Sequence, residues 1–115
     1  MDEILKTDKG RQILEELGDG KCSAKNQGCT ATVVLFSKQE LYIANCGDSR
    51  TIILYKDQRV EQPLEDHKPD NQSEKKRIQG AGGFVSEGWV NRSLNLSRAI
   101  GDLEFKWNKN LPPAK

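Results

Sequence analysis

Acidic side chains and the only histidine of the chain are concentrated in one segment, "EDHKPD", residues 65–70. Three carboxylates lie within these six residues, and carboxylate oxygens suit hard cations such as Mg²⁺ or Mn²⁺. A solvated acidic loop is the commoner explanation for such a run. His67 has no second histidine as a catalytic partner. The segment therefore indicates either a divalent-cation site or an exposed loop.

Two further segments combine an acid, a hydroxyl and a base. In "GDSR", residues 47–50, Asp48 and Arg50 are close enough in sequence to form an ion pair within a turn. We expect this pair to be structural rather than catalytic. In "LSRAIGD", residues 96–102, Ser97 would need a general base to act as a nucleophile. Turn formation is the favoured interpretation of that segment.

The elements that position these segments are predicted to be strands. Three runs rich in apolar and β-branched residues and a weaker fourth run follow one another with short connections, which indicates an antiparallel meander. Both faces of the first run are apolar, so we expect a central, buried strand, with Cys29 and Cys46 as small buried residues. Pro63 restricts the fourth run to an edge strand or to the end of a strand. The predicted strands cover residues 29–37, 41–46, 50–55 and 59–64.

Helical patterns lie on either side of the predicted strands. Residues 8–18 place apolar side chains on one face and end at a glycine, which predicts a short helix. A second helix is predicted from Asn71 to about residue 79, because Asn71 and Glu74 have the spacing of a capping box. Glycines end that helix, and "FVSEGWV", residues 84–90, is typical of a small hairpin.

Composition excludes several classes of protein. Lys and Arg number 18 against 17 for Asp and Glu, giving a net charge of +1, so no nucleic-acid-binding face is expected. The three cysteines show no CxxC spacing, which argues against a zinc site or disulfide framework. The sequence shows no signal-peptide pattern and no membrane span. We expect an intracellular, cytoplasmic protein, with a nuclear location left open.

Four segments in a fixed order resemble the type 2C protein phosphatases, the metal-dependent Ser/Thr phosphatase family. They are "GCTATVVL", "LYIANCGDSRTIIL", "LEDHKPDNQSEKKRIQGAGGFV" and "SLNLSRAIGDLEFK", which together cover about residues 28–107. The resemblance implies an α+β fold with an antiparallel β-sandwich core flanked by helices, an α/β/β/α four-layer fold that is incomplete here. It also divides the chain into an N-terminal helix and polar linker, residues 1–27, and the central part of a phosphatase domain, residues 28–115.

The resemblance implies hydrolysis of phosphoserine or phosphothreonine in a phosphoprotein by a water bound to Mg²⁺ or Mn²⁺. The family's main metal-binding segment, Asp-Gly-His-Gly-Gly, has no counterpart here, and Gly18-Asp19-Gly20 lacks the histidine. We therefore expect this chain, as a fragment, truncated product or divergent relative, to be inactive alone and to self-associate through unpaired strand edges. The alternative is a non-catalytic, phosphatase-like binding or regulatory module.

Carried over residue by residue, the resemblance implies one metal ligand, Asp66, which matches a family aspartate that helps to bind an additional metal ion. It implies no catalytic residue in this chain and no ligand of the two principal metals. Two other signatures imply framework roles at a strand turn and near the cleft, namely Asp48, Ser49 and Arg50, and Ser97, Arg98 and Asp102.

One departure from the family pattern concerns the segment "EGWVNRSL", residues 87–94. The family usually has a basic residue where Trp89 stands and glycine where Arg92 stands. Because a residue with a Cβ atom avoids positive φ, Arg92 predicts a negative φ at that position. We also expect it to alter substrate contacts in the flap beside the active site.

Overall fold

The computed structural model describes residues 1–18 and 26–106, which form two compact units. Residues 1–18, 26–29 and 99–106 belong to the first unit, and residues 30–98 form the second. The sequence-based domain boundary between residues 27 and 28 stays a prediction. In chain order the helices and strands are α1 (Asp2–Leu5), α2 (Asp8–Leu17), β1 (Gly28–Cys29), β2 (Ala31–Phe36), β3 (Leu41–Cys46), β4 (Ile53–Leu54), β5 (Val60–Glu61), α3 (Gln72–Gly80), β6 (Val85–Ser86), β7 (Trp89–Val90), β8 (Ile100–Gly101) and a 3₁₀ helix (Leu103–Phe105).

In the first unit, α2 confirms the helix predicted over residues 8–18. Thr7 caps it, because its Oγ1 accepts a hydrogen bond from Gly10 N at 3.1 Å. Gly10 allows α1 to approach closely, since a Cβ there would lie 2.1 Å from Ile4 O. The same unit contains the antiparallel pair of β1 and β8. Asp2 accepts a hydrogen bond from Gly101 N at 2.9 Å and thereby ties α1 to β8.

In the second unit, β2 and β3 pair in antiparallel register from Ala31–Cys46 to Phe36–Leu41. This confirms the first two predicted strands. The expected burial of β2 is wrong, because residues 32–36 are all exposed. Among the described residues β2 pairs with β3 alone, so its other edge has no strand neighbour. Cys29 is exposed and Cys46 is only half-buried, which corrects the expected burial of both.

The third and fourth predicted strands are present in shortened form as β4 and β5, which pair antiparallel. Asp57 forms the turn between them, since its Oδ1 accepts a hydrogen bond from Arg59 N at 3.1 Å. Within the described residues β4 does not pair with β3, so the predicted continuous meander is wrong. In the sequence, the charged segment from Gly47 to Arg50 lies between the β2–β3 pair and the β4–β5 pair.

The predicted second helix is confirmed as α3, with Asn71 as its N-cap residue. The capping-box interaction is not formed, because Asn71 Nδ2 instead donates to Asp66 O at 2.7 Å. Glu74 turns inward and is buried. The buried apolar residues of this unit are Ile78, Val90 and Pro69, and the side chain of Pro69 is fully buried. The core is small because most apolar side chains of the strands remain exposed.

The hairpin predicted over residues 84–90 is confirmed by the antiparallel pairing of β6 and β7. Glu87 and Gly88, with φ of 53° and 80°, occupy the two-residue turn. Both values are positive, as a hairpin turn of type I′ requires. A second tight turn follows at Asn91 and Arg92. The predicted negative φ of Arg92 is wrong, since its φ is 62°.

The architecture is α+β with antiparallel pairing throughout the described strands. This confirms the predicted fold class. Across residues 1–18 and 26–106, no helix combines the length and apolar character needed to span a membrane.

Candidate functional site: an ion-paired corner

A tight corner after β3 gathers most of the residues that the sequence singles out. Gly47 begins it with φ of +104°, a conformation that glycine adopts without strain. A Cβ at this position would lie 2.4 Å from Thr30 Cγ2 and 3.0 Å from Arg98 O. Glycine is therefore required here both for backbone conformation and for close approach.

His67 connects this corner to the acidic segment through the backbone. Its N donates to Gly47 O at 3.0 Å, and its Nδ1 lies 3.2 Å from Gly47 N, which can donate to it. His67 O in turn accepts a hydrogen bond from Ser97 N at 3.0 Å. Three segments that are distant in sequence thus meet at His67, two of them through its backbone and one also through its imidazole. These contacts give His67 a positioning role in the fold.

Asp66 and Arg50 form a bidentate ion pair. Arg50 Nε donates to Asp66 Oδ1 at 3.0 Å, and Arg50 Nη2 donates to Oδ2 at 2.5 Å. Asp66 is buried, whereas about half of the Arg50 side chain is exposed. Hydrogen bonds from Arg50 lower the pKa of Asp66, outweighing the opposite effect of burial. The pair holds the segment 65–70 against the corner.

The expected ion pair between Asp48 and Arg50 is wrong. Asp48 pairs instead with Lys68, and Arg50 pairs with Asp66. The corner is therefore joined to the acidic segment by two ion pairs rather than closed on itself. Ser49 adds a neutral contact, because its Oγ lies 2.6 Å from Thr30 Oγ1.

A buried carboxylate, Glu74 of α3, forms a second ion-paired cluster in the same unit. Its Oε1 and Oε2 accept hydrogen bonds from Arg98 Nη2 at 2.7 Å and Arg98 Nε at 2.9 Å. Arg77 Nη2 donates to Glu74 Oε2 at 2.8 Å and to Ser97 O at 2.6 Å. Burial alone would raise the pKa of Glu74, but the hydrogen bonds from Arg98 and Arg77 lower it to about 2. Glu74 is thus ionised at neutral pH.

Five of the residues given a framework role lie in one unit, namely Asp48, Ser49, Arg50, Ser97 and Arg98. Their framework role stays a prediction. Asp102 lies in the other unit, where it has a left-handed φ of 46° and its N donates to Gln27 O at 2.8 Å. Sequence reasoning missed Glu74 as the partner of Arg98. Two residue types could have indicated this pair: the carboxylate of Glu74 in α3, and the arginine of the segment "SRAIGD", which is Arg98.

The described residues do not fit a principal divalent-metal site. In residues 1–18 and 26–106, no group of three or more Asp, Glu, His or Cys side chains is close enough to hold an ion. Both carboxylate oxygens of Asp66 are bound by Arg50. The segment Gly18-Asp19-Gly20 partly matches the family's metal-binding segment but lacks the histidine. Residues 19 and 20 of this segment lie outside the described residues. The role of Asp66 as ligand of an auxiliary ion stays a prediction.

Each of the four ordered segments quoted in the sequence analysis contributes residues to this corner, and the chain as a whole also matches a family model. The family model "Protein phosphatase 2C" matches residues 2–113. The chain belongs to the protein phosphatase 2C family. This confirms the resemblance inferred from the four ordered segments.

Curated relatives of this protein phosphatase 2C chain are longer than it is. Probable protein phosphatase 2C 4 of Paramecium tetraurelia is 50% identical over 111 residues, which cover 96% of this chain and 36% of that protein. Probable protein phosphatase 2C 21 of Arabidopsis thaliana is 49% identical over 102 residues, which cover 89% of this chain and 28% of that protein. The chain therefore spans about a third of the length of these relatives.

A solved structure shows the same fold. The crystal structure of a phosphatase from a pathogenic strain of Toxoplasma gondii aligns with a TM-score of 0.58 at 24% identity. The alignment covers 89% of this chain and 46% of that chain. At this identity the likeness concerns the fold alone.

Proposed function

We propose that this chain is the central framework of a protein serine/threonine phosphatase that uses Mg²⁺ or Mn²⁺. The family match over residues 2–113 is the observation that carries the proposal. In such a reaction the metal ions supply a water that is nucleophilic near neutral pH and offset charge on the phosphoryl oxygens. The substrate would be a phosphoprotein, and the principal metal ligands would come from outside the described residues.

The contribution of this chain would be positional. The Arg50–Asp66 and Asp48–Lys68 pairs fix the segment 65–70, and Gly47 and His67 hold it against the corner through backbone hydrogen bonds. Charge-assisted, two-pronged contacts of this kind restrict orientation more strongly than single neutral hydrogen bonds. By this account the corner gives the rest of a catalytic domain a fixed surface on which to assemble.

A chimera tests the proposal directly. The segment matching residues 2–113 would be exchanged into Probable protein phosphatase 2C 4 of Paramecium tetraurelia, and Mn²⁺-dependent hydrolysis of a phosphothreonine peptide would be measured. We expect an active chimera, because the donor and recipient segments are 50% identical. The matched control is the same chimera carrying Glu74→Gln, which should lose stability and activity together.

The alternative function is a non-catalytic binding or regulatory module. The lack of a three-ligand metal cluster in the described residues agrees with this alternative and with the phosphatase proposal alike. A chimera that folds and melts like its parent but hydrolyses nothing would support this alternative and contradict the phosphatase proposal. The chain alone, assayed with Mn²⁺ and an aryl phosphate, is expected to be inactive under either proposal.

A further inference from the structure

Asp66 is a buried carboxylate that already has a cationic partner. Its side chain is 11% exposed. Arg50 Nε donates to Oδ1 at 3.0 Å, and Arg50 Nη2 donates to Oδ2 at 2.5 Å. Gln62 Nε2 makes a third, longer contact to Oδ1 at 3.4 Å. A buried charge in a protein is either paired with an opposite charge or bound to a metal ion. In this chain the guanidinium of Arg50 fulfils that requirement.

This pairing disagrees with the ligand role that the family resemblance implies for Asp66. Across residues 1–18 and 26–106, no group of three or more Asp, Glu, His or Cys side chains could hold a metal ion, so Asp66 belongs to no such cluster there. A divalent ion bound to Asp66 beside Arg50 would place two cations on one carboxylate. Repulsion between the ion and the guanidinium therefore opposes binding of both at once.

The contact between Arg50 and Asp66 can open without displacing the segment 65–70. The Arg50 side chain is 51% exposed, so its guanidinium can move into water while the carboxylate stays in place. Three contacts anchor the segment without using the Asp66 carboxylate, namely His67 N with Gly47 O at 3.0 Å, Asn71 Nδ2 with Asp66 O at 2.7 Å, and Lys68 with Asp48. The carboxylate can therefore exchange its partner while the backbone around it keeps its position.

We infer that Arg50 is the resident counter-ion of Asp66, and that a divalent cation binds this carboxylate only by displacing the guanidinium. Because coupled binding equilibria are reciprocal, the ion pair weakens binding of the ion by the same factor as the ion weakens the pair. Arg50 thus sets the concentration of Mg²⁺ or Mn²⁺ at which Asp66 binds it. This inference goes beyond the proposed function and rests on it only for the choice of cation.

The test is an NMR titration of the full chain with Mn²⁺, at an ionic strength held constant with NaCl. Mn²⁺ is paramagnetic and broadens the signals of nuclei near its binding site. We expect the backbone signals around Asp66 to broaden in Arg50→Gln at an Mn²⁺ concentration at least about tenfold lower than in the parent, the lower end of the range in which a nearby charge alters a carboxylate equilibrium. The double variant Arg50→Gln/Asp66→Asn should lose this response.

Arg59→Gln is the matched control for the loss of one positive charge. The Arg59 side chain is 59% exposed and pairs with Asp57 and Glu61 instead. Its Mn²⁺ response around Asp66 should equal that of the parent. Arg50→Lys retains a cation but loses the bidentate geometry, so its response should lie between those of the parent and Arg50→Gln. This variant also decides the question if Arg50→Gln does not fold.

A titration of the parent with Mg²⁺ follows the exchange itself. Mg²⁺ is diamagnetic, so the Arg50 Nε–H signal and the Asp66 carboxylate carbon signal stay visible. Both signals should shift with one midpoint, because the hydrogen bond from Arg50 breaks as the ion binds. A parent that does not respond agrees with the inference only if Arg50→Lys or Arg50→Gln does respond to Mn²⁺.

Four results overturn the inference. The first is a folded Arg50→Gln chain that responds at the same Mn²⁺ concentration as the parent, and the second is a response that persists in the double variant. The third is an Asp66 signal that shifts with Mg²⁺ while the Arg50 Nε–H signal keeps its position. The fourth is the absence of any response in the parent and both Arg50 variants. These results concern binding and not hydrolysis by the chimera, so failure of this inference is distinguishable from failure of the proposed function.

Discussion

The buried carboxylate of Glu74 gives a quantitative prediction about stability. Its pKa falls from an ordinary value of 4.5 to about 2. One pKa unit corresponds to about 1.4 kcal/mol, so ionised Glu74 contributes about 3 kcal/mol to the free energy of unfolding at pH 7. The side chain is only 5% exposed, which limits screening by solvent. A Glu74→Gln variant should lose about this amount, a large share of the stability of a small domain.

The dependence on pH separates this charge effect from a general packing defect. Because the pKa of Glu74 is lower in the folded state, its contribution is complete above the unfolded value of 4.5 and is lost as pH falls towards 2. The stability difference between parent and Glu74→Gln should therefore shrink from about 3 kcal/mol at pH 7 to about 1 kcal/mol at pH 3.

Urea unfolding of both proteins at the two pH values is the appropriate assay, with concentration varied to detect self-association. Glu65→Gln is the matched control, because Glu65 is an exposed carboxylate of the same unit. It should change stability by less than about 0.5 kcal/mol. A Glu74→Gln difference that is as large at pH 3 as at pH 7, or absent at pH 7, would refute the argument.

The remaining predictions concern the ion-paired corner and the auxiliary metal ion predicted at Asp66. Gly47→Ala should lower the free energy of unfolding by at least about 1–2 kcal/mol, because φ is positive and a Cβ would lie 2.4 Å from Thr30 Cγ2. Gly80→Ala, in α3 with no atom within 4 Å of the added Cβ, should instead be neutral or stabilising by up to about 1 kcal/mol; equal losses in the two variants would contradict the steric argument. Asp66→Asn should lower the melting temperature by leaving Arg50 without its carboxylate, most strongly at low salt; an unchanged melt would show that this pair is dispensable. If Asp66 also binds an auxiliary ion, Arg50→Gln should bind Mn²⁺ more tightly than the parent in calorimetry, and identical isotherms would count against that role.

Local patterns predicted the elements well. Alternation and β-branched residues identified β2 and β3, and Asn71 marked the start of α3. These features depend on neighbours in sequence, which is why they could be inferred without a structure. The exposure of β2 could not be inferred, because an apolar strand gives no signal of whether another sheet covers it.

Pairing between distant residues was the part that the sequence could not supply. Arg50 has Asp48 as its nearest acid, but the fold turns it towards Asp66. Glu74 has the spacing of a capping box, but burial against Arg98 is the interaction that forms. The prediction of a negative φ for Arg92 was wrong for a related reason. Hydrogen bonds at both ends of the turn outweigh the intrinsic preference of this residue for negative φ.

We propose that this chain supplies the framework of a protein phosphatase 2C catalytic domain. The most direct measurement is Mn²⁺-dependent release of phosphate from a phosphothreonine peptide by the chimera described above. We expect activity that is abolished by a chelator and diminished, together with thermal stability, by Glu74→Gln. A chimera that folds with the parental melting temperature and releases no phosphate would contradict it.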